Sequence, residues 1–101
     1  MHNGLFAVRI VNYQRNKMLN ICDAELVGRT LVEADLTINV TKNYFEERVV
    51  DEKEAEQLLR NSSIINMVGE KTIALSVKTG VGSAKGVKKI DGIPFLLVFK
   101  F

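Results

Sequence analysis

A chain of 101 residues is long enough for one core and too short for two, so a single domain spanning 1–101 is expected. A hydrophobic fraction of 47% excludes a disordered chain, and no apolar run approaches the roughly 20 residues of a membrane helix. One cysteine, Cys22, excludes an internal disulfide, and the N-terminus lacks the basic and apolar regions of a secretory signal, so a cytoplasmic protein is expected.

Leu5–Val11 reads as a strand, with Arg9 on the face opposite Val8 and Ile10. Met18–Cys22 resumes the apolar run after a polar Tyr13–Asn16, which predicts a hairpin. Asp23 is placed to cap a short helix, Ala24–Val27, closed by Gly28. Leu36, Ile38 and Val40 alternate with Thr37 and Asn39 as a half-buried strand. Tyr44 and Phe45 are expected to cover a core edge, with a brief extended piece at Arg48–Val50.

Asp51 and Glu54 form a capping-box spacing at the head of a helix whose apolar residues are Ala55, Leu58 and Leu59, and Asn61-Ser62-Ser63 stop it. From Ile64 to Gly80 the apolar residues cover more than one face, which predicts a largely buried helix bent at Gly69, with Gly80 as its C′ residue. The glycine-rich stretch from Gly80 to Gly86 reads as a flexible connector. Asp91-Gly92 marks a two-residue turn between Val87–Ile90 and Ile93–Phe101. The expected fold is α+β in the order β-β-α-β-α-α-β-β. A mixed or antiparallel sheet from the two terminal hairpins and a middle strand packs on two or three helices.

Formal net charge is only +2, yet it is segregated. Residues 23–56 hold ten acids against four bases, whereas five lysines and no carboxylate lie between Glu70 and Asp91. Such segregation gives either a basic face suited to phosphates or pairing within the fold. The candidates for nucleic-acid contact are Arg9, Arg15, Lys17, Lys78, Lys85, Lys88 and Lys89, with Tyr13 as a stacking platform. If the terminal hairpins share one sheet, several of these bases share a surface.

Catalytic and metal chemistry find little footing. A phosphate loop needs a strand before it and a helix after it, and the Gly80–Gly86 stretch has the reverse order. Cys22 has Asp23 beside it, which disfavours a thiolate, and the only histidine, His2, lies at the terminus. One Cys and one His fall short of the usual metal sets, so no metal or cofactor is expected.

Cys22-Asp23, Leu26-Val27-Gly28-Arg29-Thr30, Tyr44-Phe45, Ile65-Asn66-Met67-Val68-Gly69-Glu70-Lys71 and Gly92-Ile93-Pro94 resemble a family of small archaeal proteins, domain of unknown function 424. The resemblance spans nearly the whole chain and implies an archaeal cytoplasmic protein with a compact α+β fold and no established activity. Relatives of this kind carry a His after the Gly-Ile-Pro turn, where this chain has Phe95, so no role for that His carries over.

The polar residues matching the family are Asp23, Arg29, Asn66, Glu70 and Lys71. Either Asn66 and Glu70, one helical turn apart, face a pocket with Arg29, or they cap the bend at Gly69 and pair with Arg29 inside the fold. Three functional expectations follow. The leading one is a non-enzymatic module binding RNA or a ribonucleoprotein through its basic hairpins. The second is a protein–protein adaptor or homodimer pairing through Phe95–Phe101, and the third a small enzyme with a pocket around Arg29, Asn66 and Glu70.

Overall fold

The structure, a computed structural model, describes residues 5–100, and the side chain of Tyr13 lies outside that description along with His2 and Phe101. In chain order the elements are β1 (Phe6–Tyr13), β2 (Asn16–Asp23), a 3-10 turn (Ala24–Leu26), β3 (Thr30–Glu33), β4 (Leu36–Asn39), α1 (Lys42–Phe45) and β5 (Arg48–Val50). There follow α2 (Glu52–Asn61), β6 (Ile64–Val68), α3 (Glu70–Lys78), a second 3-10 turn (Ala84–Gly86), β7 (Lys88–Ile90) and β8 (Ile93–Phe99). The fold is α+β, and both terminal hairpins join one mixed sheet in the order β5-β1-β2-β6-β8-β7. Among the described strand pairs only β2 and β6 run parallel.

Two segments differ from the expectation. Ile64–Val68 is a strand at the centre of the sheet, not the first half of a bent helix. A strand covered on both faces is apolar on both, so its composition matches that of a buried helix. The alternating strand Leu36–Asn39 exists but lies outside the main sheet, paired with β3 as a separate two-stranded ribbon.

Alternation along the strands supplies two cores. On one face, Phe6, Val8, Leu19, Ile21, Ile65, Met67 and Leu96 pack against Ala55 and Leu59 of α2 and Ile73 and Leu75 of α3. On the other, Ala7, Cys22 and Val68 pack under Leu26 of the first 3-10 turn, Leu31 of the ribbon, Val40 just after it and Phe45 of α1. Burying β2 from both sides explains why Leu19 through Asp23 are all enclosed, the polar Asn20 and Asp23 included.

The helix ends follow local chemistry. The Asp51 carboxylate accepts from the Glu54 N–H at 2.9 Å, as an N-cap should. Glu54 does not return the bond; its carboxylate pairs with Arg48. At the far end of α2 the Ser62 hydroxyl donates to the Leu58 carbonyl at 2.7 Å, and the Lys100 ammonium donates to the carbonyls of Leu59 and Arg60. Partial burial, then the Arg60 charge, lower the Lys100 pKa. After α3, Gly80 N–H bonds to Val77 and Val81 N–H to Ser76, the Schellman pattern.

The glycine-rich stretch is packed down rather than standing free. Val81 and Val87 join the helix-side core, and Gly82 lies so close to the Ser76 hydroxyl and Leu96 that a Cβ has no room.

Candidate functional site

The ribbon and α1 cover only part of their side of the sheet. Where they stop, a cleft of about 860 Å³ opens between Thr37–Asn39 of the ribbon, Tyr44 of α1, the sheet surface at Asn66 and Leu97, and the strand edge at Lys88. Its floor includes Asn66 and Leu97, and pairing register sets Asn20 and then Arg9 in a row beside Asn66 across β2 and β1, on the same face of the sheet but outside the cleft lining.

Asn20, only 1% exposed, sets the order of that row. Its amide nitrogen donates to the Tyr44 carbonyl at 3.1 Å, and its oxygen accepts from the Asn66 amide nitrogen at 2.8 Å. A backbone carbonyl only accepts, so Asn20 must turn its nitrogen towards Tyr44 and its oxygen towards Asn66. Asn66 must then give its nitrogen to Asn20. Its own carboxamide oxygen has no partner among the described residues, and Asn66 lines the cleft. Arg9, half-buried beside Asn20, likewise has no ion-pair partner among them.

The predicted basic residues do not form one surface. Arg9 and Lys88 are on the cleft side of the sheet, while Lys89, one residue on, is on the helix side. Four strand spacings separate β1 from β7, about 19 Å. Arg15 is in the β1–β2 turn and Lys17 at that same end, opposite the end where Lys88 pairs with Phe95. Lys78 closes α3 with its ammonium 3.7 Å from Glu52, and Lys85 is exposed on the second 3-10 turn. The shared sheet was foreseen, but the three strands between β1 and β7 and the opposite faces of Lys88 and Lys89 divide the bases.

The family-motif residues also separate. Asn66 is on a strand and Glu70 opens α3, so their four-residue spacing is not a helical turn, and Gly69, with φ of 113°, turns the chain between them. Glu70 is exposed, and Arg29 is exposed in the turn before β3 with no side-chain partner among the described residues. Neither the pocket of Arg29, Asn66 and Glu70 nor the cap by Asn66 and Glu70 is formed.

Asp23 makes the cap instead. Its buried carboxylate accepts from the Lys71 N–H at 3.1 Å, the Thr72 N–H at 2.8 Å and the Thr72 hydroxyl at 2.7 Å. An N-cap side chain normally makes these bonds from the residue just before the helix. Here that residue is Gly69, which has none, and a Cβ built on it would stand 2.7 Å from Asp23 Oδ2 and closer still to Cγ. The expected cap of Ala24–Val27 by Asp23 is accordingly absent, and that segment is a 3-10 turn over Ala24–Leu26. Lys71 pairs with Glu25 at 3.1 Å. A backbone hydrogen bond, then Lys71, lower the Glu25 carboxyl below the usual range.

Cys22 is fully buried, and burial, then the carboxylates of Asp23, Glu46 and Glu25, push its thiol up to about 12. A protonated, enclosed thiol is a poor nucleophile. Among the described residues no three His, Cys, Asp or Glu stand together as a metal site, and no helix is long and apolar enough to cross a membrane.

Asn20 and Tyr44 were not singled out from the sequence as parts of a site. The available signal was Asn20 itself, a carboxamide between Leu19 and Ile21 in an otherwise apolar run, which a two-sided strand buries.

A family model described as "Protein of unknown function (DUF424)" matches residues 11–101. The chain is also similar to a crystal structure of an uncharacterized conserved protein from Methanopyrus kandleri. The TM-score is 0.79 at 16% identity, covering 96% of this chain and 94% of that one, a likeness of fold. No curated protein matches.

Proposed function

The chain belongs to the DUF424 family, and we propose that it is a non-enzymatic module of the archaeal cytoplasm that binds single-stranded RNA, free or in a ribonucleoprotein. The observation that carries this reading is Asn66 on the floor of an open cleft walled by Tyr44, with Asn20 and Arg9 beside it in register on the same face of the sheet. Single-stranded RNA is read by splaying bases onto such surfaces, where carboxamides meet base edges and aromatic rings stack. Lys88 at the cleft and Arg9 across the sheet offer cations to the phosphates on either side. The separation of the other bases narrows the interface to this face.

The test is fluorescence anisotropy with a labelled single-stranded RNA of mixed sequence at several salt concentrations. Arg9→Glu and Lys88→Glu should each weaken binding about fivefold or more and flatten the salt dependence, whereas Lys17→Glu, on the helix side, should change little. Equal loss in all three variants, or no binding by the parent chain at low salt, overturns the reading.

A second reading has its own observation. β7 pairs with Ile93–Phe95, which leaves the outer edge of β8 from Leu96 to Val98 without a neighbouring strand among the described residues. Leu97 beside it is 51% exposed. An edge of this kind accepts a strand from a second chain. Because Leu97 faces solvent, Leu97→Asp should leave the melting temperature within a few degrees of the parent. If the chain self-associates through β8, that change should return it to monomer in analytical ultracentrifugation. A dimer that survives it would remove the β8 reading.

A further inference from the structure

Resting on the RNA reading, we propose that the cleft holds one unpaired base of any identity and reads whether its Watson–Crick edge is free, with Asn66 as the contacting residue. Asn66 turns its nitrogen towards Asn20 because Asn20 is itself fixed by the Tyr44 carbonyl. One Asn66 N–H is spent in that bond, which leaves one donor and one acceptor, the second N–H and the unpartnered oxygen. Two hydrogen bonds in series hold the carboxamide in place before a ligand arrives, so little side-chain freedom remains to be lost on binding.

One donor with one acceptor complements the Watson–Crick edge of every base: N6–H and N1 of adenine, N4–H and N3 of cytosine, O4 and N3–H of uracil, O6 and N1–H of guanine. Base pairing occupies all four, and an unpaired base leaves its edge open. Choosing among the bases would take further edge contacts, and other polar groups of the lining are committed within the protein. The Asn39 oxygen accepts from the Thr30 hydroxyl at 2.9 Å, and the Thr41 hydroxyl oxygen accepts from the Tyr44 N–H at 3.2 Å. The walls are equally indifferent to sequence. Leu97, the direct cross-strand neighbour of Asn66, and Tyr44 are both half-exposed, and such surfaces stack with any base because every base has a π-face.

The test compares eight-residue oligomers of U and of N3-methyluridine by fluorescence anisotropy. The methyl group removes the N3–H and blocks the edge, while the charge and the backbone are unchanged. The parent chain should bind the methylated oligomer about tenfold more weakly, and should bind oligomers of U, C and A within about tenfold of one another. Both comparisons stand on the parent chain alone, so neither needs a variant to fold. In Asn66→Ala the methylation ratio should fall to about one. UMP is the probe for a free nucleotide.

Equal binding of the two oligomers by the parent, a ratio that survives Asn66→Ala, or a preference of more than about tenfold for one base overturns this inference and leaves the RNA reading standing. UMP that binds as tightly as the U oligomer, with the same sensitivity to N3-methylation, upholds the role of Asn66 and overturns the strand. If no oligomer and no nucleotide binds, both readings fall.

Discussion

Gly69→Ala should destabilise the chain by about 4 kcal/mol, a large share of the 5–15 kcal/mol that holds a domain of this size together. Two independent costs add. The backbone at Gly69, with φ 113° and ψ 153°, is in a region open almost only to glycine, worth about 1–3 kcal/mol to any other residue. The new Cβ also collides with the Asp23 carboxylate, which must then give up bonds to Lys71 and Thr72 from a buried position. Asp23→Ala alone should cost about 2–3 kcal/mol, because it uncovers the N–H groups of the first turn of α3 with no residue at Gly69 to replace the cap.

The pair is coupled, and the coupling is the sharper measurement. Once Asp23 is alanine the collision is gone, so Gly69→Ala in that background should cost about 1–2 kcal/mol less than it does in the parent. Urea unfolding of the two single variants and the double variant gives the cycle. Additivity within about 0.5 kcal/mol would mean that the glycine is not there to make room for Asp23.

Cys22 should react with a thiol reagent at pH 8 about a thousandfold more slowly in the folded chain than in urea. With its thiol at about 12 instead of 9.0, the thiolate fraction falls by about that factor, and enclosure adds to it. The same shift carries a stability signature. The folded state holds its proton above the pH at which the unfolded chain releases it, so the contribution is complete below pH 9 and is lost as pH rises towards 12. The slope is at most about 1.4 kcal/mol per pH unit. The loss of stability between pH 8 and pH 10 should therefore be smaller in Cys22→Ala than in the parent. Identical slopes in the two chains would show that the thiol ionises as easily in the fold as out of it.

Local chemistry was legible in the sequence where the partners are close in the chain. The Asp51 half of the capping box, the Gly80 helix end and the Asp91-Gly92 turn each involve residues within five positions of one another, and each forms. Ile64–Val68 was not legible because burial on two faces erases the alternation that distinguishes a strand from a helix. The Asp23 cap was not legible because its partners are 48 and 49 residues away, and nothing local says that a carboxylate must reach them. The candidate cleft belongs to the same class. Arg9, Asn20 and Asn66 become a row only once β1, β2 and β6 are set side by side, and a parallel neighbour 46 residues distant leaves no mark on either sequence.

That parallel seam also dictates an order of events as the chain is made. When synthesis has reached Asn61, β1, β5, the ribbon and both early helices are complete, yet β2 still has no partner on the side that β6 will occupy. Leu19–Asp23, destined for full burial, form an open strand edge until Ile64–Val68 arrive. Such an edge invites pairing with another chain. A fragment ending at Asn61 should therefore aggregate, and the time between that residue and Val68 is the interval in which the nascent protein is most exposed to a wrong partner.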